Sequence, residues 1–132
     1  MESSLKAMVS LKVAEEFYEI AVQRFNYAQE IYLEEDYHTA AHLFINSAIL
    51  FTNFLFQKFL NRIPGRKQHS DSTLIESLKK FLSKDFNQYK SLYLFLMSHK
   101  SAADYGISFS ENSAKQIKRK AERLKEIAES YS

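Results

Sequence analysis

The sequence predicts an all-α fold, an up-down bundle of four or five helices in a single domain covering residues 1–132. Three observations predict it. The 132 residues contain only two Gly and one Pro, so the turn chemistry that many short strands require is missing. Ala, Leu, Lys and Glu, all good helix formers, recur throughout. Apolar residues return at three- and four-residue spacing over nearly the whole length, the period of a helix with one face in a core.

The first helix is expected from about Leu5 to Leu33, with Val9, Val13, Phe17, Ile20, Tyr27 and Ile31 facing the core and Arg24 interrupting them. Glu34, Glu35 and Asp36 then form an acidic connector, and Asp36 is placed to cap the next helix, making the first two an antiparallel hairpin. The second helix, Tyr37 to Leu60, carries Phe44, Phe51 and Leu55 on one side and small residues at Ala40, Ala41 and Ala48 that permit close helix approach. Residues 40–60 approach the length of a membrane span. His42, Asn46, Asn53, Gln57 and Lys58 would be costly in lipid, so the stretch reads as a buried central helix and no membrane association is expected.

A loop from Asn61 to Asp71 holds the Pro64-Gly65 pair. Thr73 with Glu76 resembles a capping box for a short third helix ending near Leu82, and Asp85 can start a fourth, about Phe86 to Tyr105, with Gly106 just past its end. Ser108 and Glu111 form a second candidate capping box. The final helix, about Phe109 to Tyr131, sets Ala114, Ile117, Ala121, Leu124, Ile127 and Ala128 inward and its basic residues outward.

Composition narrows the chemistry. Cysteine is absent, which excludes disulfides, thiolate catalysis and cysteine-based zinc or iron–sulfur sites. The first residues lack a basic segment followed by an apolar run, and a cytoplasmic location is expected. His38 and His42, at i and i+4, share a helix face, but Thr39 stands where a zincin has Glu and no third ligand is in view. Glu35 and His38 spell one Glu-x-x-His element, where a di-iron bundle requires two. No metal and no cofactor are therefore expected. No phosphate loop, nucleophile elbow or serine triad pattern is present. The net charge of +2 does not by itself argue for nucleic acid. Basic residues gather in the loop, at Arg62, Arg66 and Lys67, and on the last helix from Lys115 to Lys125. The second group reads as a solvated face, because Glu111, Glu122, Glu126 and Glu129 interleave with it. Eleven Phe and eight Tyr are many for a small bundle and point to a second copy or a partner.

The order of elements, with Asp36-Tyr37-x-x-Ala40-Ala41 at the hairpin corner and Ala103-Asp104-Tyr105 before a final helix with Ala114, Ala121 and Ala128, resembles the HEPN family, the higher eukaryotes and prokaryotes nucleotide-binding domain. The likeness runs from about Val13 to Tyr131. It implies a HEPN-like bundle that usually dimerises, often as the companion of a minimal nucleotidyltransferase in toxin–antitoxin pairs, with RNA or a nucleotide as ligand. Several family members are metal-independent ribonucleases that use an Arg and a His a few residues apart. Arg62 and His69 meet that spacing but flank the Pro64-Gly65 loop, whereas the stretch aligned with the family's catalytic segment, Lys100 to Tyr105, has no Arg followed by His. RNA cleavage through the 2′-hydroxyl needs a group that moves protons and a cation on the phosphorane. The expectation is therefore a non-catalytic binding or partner module, with Arg62, Arg66, Lys67, His69, Lys100, Asp104 and Tyr105 as binding candidates. The alternatives are a ribonuclease with Arg62 and His69 as its catalytic pair, and a helical adaptor resembling a tetratricopeptide hairpin.

Overall fold

A central helix that is apolar almost all round needs neighbours on several sides, and the bundle is arranged to supply them. The computed structural model describes residues 2–64, 72–104 and 109–132. In chain order the helices are α1 (Glu2–Leu33), α2 (Tyr37–Leu60), α3 (Ser72–Ile75), α4 (Lys79–Leu82), α5 (Phe86–Ser98), α6 (Lys100–Asp104) and α7 (Glu111–Glu129), and no strand occurs among the described residues. The fold is an all-α bundle.

The hairpin turns where the acidic connector lies. Glu35 takes a positive φ of 66°, and Asp36 caps α2 by accepting from the backbone N–H of Thr39 at 3.2 Å. At the other end Asn61 adopts the left-handed conformation (φ 53°), its N–H bonding back to the Gln57 carbonyl. The Phe44, Phe51 and Leu55 line of α2 is fully buried. α2 is long and apolar enough to cross a membrane, but two-thirds of its most apolar window is buried within the bundle, as befits a core helix.

Three local expectations are corrected. α1 turns its large apolar line only partly inward: Phe17 and Ile31 pack against the core, but Val9, Ile20 and Tyr27 stay exposed, and the buried positions are Ala14, Ala21, Phe25 and Ala28. The reason is close approach, since alanines on both helices bring α1 and α2 together and Phe25 meets Phe44 edge-on at 5.3 Å. Next, the segment expected as one short helix is broken into α3 and α4 by a 3₁₀ turn at Glu76–Leu78. Thr73 lies inside its first turn rather than at a cap, and the Glu76 carboxylate takes the Lys90 ammonium instead. Finally, the long fourth helix breaks at His99 into α5 and α6. Asp85 leaves the first turn of α5 uncapped by its side chain, which accepts the Tyr131 hydroxyl at 2.9 Å. The cap of α7 is Ser110, which accepts from Ser113 N–H at 3.1 Å, because the helix starts at Glu111; Ser108 and Gly106 lie outside the described residues.

α7 packs chiefly on α2 and on α5, placing its charged outer face beside α5. Tyr131 fastens the C-terminal end: its hydroxyl donates towards the Leu82 carbonyl and Asp85, each at 2.9 Å, and its ring meets Phe59 edge-on. In the interior the Thr52 hydroxyl donates to the Ala48 carbonyl at 2.8 Å and receives the Tyr89 hydroxyl at 2.7 Å. A helix-to-helix bond is thus made without an orphaned donor.

Candidate functional site

α7 is amphipathic, so packing its alanine, isoleucine and leucine line against α2 and α5 forces its basic residues to the rim of the α5–α7 junction. There they border a groove of about 580 Å³ lined by Gln88, Leu92 and Phe95 of α5 and by Gln116, Arg119, Lys120 and Arg123 of α7. That volume is in the range of ligand pockets, which are typically about 300–1,000 Å³.

The electrostatics are one-sided. Of the basic residues on α7, Lys118 pairs with Glu122 at 2.7 Å, Lys125 with Glu129 at 2.5 Å and Arg123 with Glu126 at 3.0 Å, all one helical turn apart. These pairs bear out the expected solvated face for that half of the helix. Arg119 and Lys120 meet no carboxylate among the described residues. Lys120 instead holds its ammonium 5.5 Å above the Phe95 ring, and Gln88 accepts from Arg123 at 3.0 Å, fixing that guanidinium at the groove edge. The result is an apolar floor of Leu92 and Phe95 under three cations, with two amide side chains able to donate or accept. Such a surface suits an anionic ligand with a flat apolar part.

Beyond one end of the groove, at the α5–α6 break, His99 packs on Phe95 at 4.8 Å and stands 6.3 Å from Phe109. Phe109 in turn stacks on His38 at 5.9 Å, and the His38 Nδ1 is buried without a hydrogen-bond partner. The two imidazoles therefore share one aromatic neighbour. His42, one turn further along α2, is exposed. No cluster of three metal-ligating side chains occurs among the described residues.

The residues expected from sequence are dispersed. Arg62 is exposed just past the α2 cap, and Lys100 is half-buried in the first turn of α6. Arg66, Lys67, His69 and Tyr105 lie outside the described residues, as does the Asp104 side chain, although Asp104 ends α6. Of the groove residues, Arg119, Lys120 and Arg123 belong to the basic group on the last helix that the sequence reading set down as a solvated face, and Gln88 and Phe95 were not singled out. A usable signal was present: Arg119 and Lys120 lack an acidic residue four positions on, at Arg123 and Leu124, whereas Lys118 and Lys125 each have one.

No protein-family model, curated protein or solved structure matches the chain.

Proposed function

We propose that the chain is a HEPN-like, non-catalytic binding module that takes a nucleotide or a short single-stranded RNA segment in the α5–α7 groove. The observation that carries this reading is the pair of uncompensated cations, Arg119 and Lys120, set over the Leu92 and Phe95 floor. Cations bind phosphate, and an aromatic floor offers a base something to lie against. The resemblance noted in the sequence adds a role, that of companion to a nucleotidyltransferase-type protein in a toxin–antitoxin-like pair.

The test is fluorescence anisotropy with a labelled short RNA and with ATP, repeated over a range of salt. The two uncompensated cations give a log–log salt slope of about −1.4 for a single strand, and Arg119→Ala or Lys120→Ala each reduces its magnitude by about 0.7. Binding that survives Arg119→Ala and Lys120→Ala together with its slope unchanged would falsify the groove assignment. Cleavage of the RNA in the same assay, abolished by His69→Ala, replaces the binding reading with the ribonuclease one.

A further inference from the structure

α1 carries two apolar lines, and the fold uses one of them. Ala14, Ala21, Phe25 and Ala28 are buried, and the helix packs chiefly on α2. Val9, Val13, Ile20 and Tyr27 recur at four- and seven-residue spacing on another face, with Val9 at 55%, Ile20 at 40% and Tyr27 at 51% exposure. α1 has 32 residues and α2 has 24, so α1 outruns its hairpin mate by about 12 Å at 1.5 Å per residue. Leu5 is exposed on that overhang. A long apolar line left in water on an otherwise paired helix is a docking surface.

The charges on the line select what docks. Glu16 and Arg24 lie along it, four residues to either side of Ile20. Glu16 has no ion-pair partner among the described residues, and Arg24 gives one hydrogen bond to Asn46 Oδ1 at 2.9 Å, leaving most of its guanidinium donors open. In an antiparallel pair of identical α1 helices with Ile20 on the twofold axis, positions equidistant from Ile20 lie level across the seam. Glu16 then faces Arg24 and Val13 faces Tyr27, so apolar meets apolar and each charge meets its opposite. A parallel pairing would set Glu16 on Glu16 and Arg24 on Arg24, which is repulsive.

We propose that the protein forms a twofold-symmetric dimer through this α1 face, with Ile20 at the axis and Glu16 of each copy level with Arg24 of the other. The two hairpins then complete a four-helix bundle across the seam. This inference is independent of the groove and its ligand.

Sedimentation velocity on the full chain tests it. The wild type sediments as a dimer in the micromolar range, and Arg24→Glu or Glu16→Arg alone weakens the dimer roughly tenfold or more. The double variant Glu16→Arg with Arg24→Glu restores it, because the swap recreates both pairs. All these positions are exposed, so circular dichroism should show the fold kept. As a second readout, Ile20→Cys in this cysteine-free chain self-crosslinks on mild oxidation, since residues at the axis come within disulfide reach. A monomeric wild type, a dimer indifferent to both single reversals, or a double variant as weak as the singles would each overturn the proposal. So would a dimer whose Ile20→Cys form stays uncrosslinked.

Discussion

The Thr52 and Tyr89 hydroxyls show how a single buried polar contact is arranged so that its two members are not equivalent. Thr52 already donates to the Ala48 carbonyl, so in the Thr52–Tyr89 bond the phenol is the donor. Tyr89→Phe removes a donor that had a partner and leaves Thr52 still bonded, a loss of about 1 kcal/mol. Thr52→Val strands the Tyr89 O–H in the core and costs about 2 kcal/mol, while the double variant falls below the sum because no group is left unpaired. Urea denaturation of the three variants checks the order. Tyr131 gives a residue-scale prediction in pH. Burial, and then its hydrogen bond to Asp85, raises its pKa from 10 to about 12, and burial pushes Tyr89 and Tyr93 higher still. A raised acid contributes stability fully present below pH 10 and lost as the pH climbs through about 12. Spectrophotometric titration should therefore show Tyr89, Tyr93 and Tyr131 ionising late and together with loss of helical circular dichroism.

At the scale of elements, what was legible depended on whether a signal is local. The bounds of α2 follow from the acidic turn, the Asp36 cap and the loop after Leu60, all written in adjacent residues, and the structure places them at Tyr37 and Leu60. Asp36→Ala should cost about 1 kcal/mol by removing the acceptor for the Thr39 N–H, read as a lower denaturation midpoint with unchanged slope. The inward face of α1 was read only in part, with Phe17 and Ile31 packed against the core but Val9, Ile20 and Tyr27 exposed, because the largest side chains were assumed to mark the core. Tight hairpin packing is made with small ones, and Ala21 and Ala28 are completely buried. Ala21→Leu therefore overpacks the seam and costs about 1–3 kcal/mol, whereas Ile20→Ala, one residue away and 40% exposed, is nearly silent in the stability of the protomer. The break at His99 had no local signal, since neither Gly nor Pro stands there. The groove was hidden for the same reason at longer range: Phe95 and Lys120 are 25 positions apart and meet only because α7 lies along α5.

For the whole molecule the consequence is a division of surfaces. The groove draws its residues from α5 and α7, and the unpartnered apolar line belongs to α1, with the filled core of α2 packed against both α1 and α7. No side chain is shared between them, and distant sites without common partners combine additively. Arg24→Glu should thus leave the affinity for a short RNA, per protomer, within about twofold of wild type, and Arg119→Ala should leave the sedimentation coefficient unchanged. A longer RNA separates the cases further. If two grooves are held in one dimer, a strand that spans both gains from effective concentration, and that gain disappears in Arg24→Glu although each groove is intact. Titrating short and long RNA against wild type and Arg24→Glu therefore measures the groove alone in one column and its coupling to the α1 face in the other. A long-strand advantage that persists in the Arg24→Glu protein would mean the two grooves are linked by some surface other than α1.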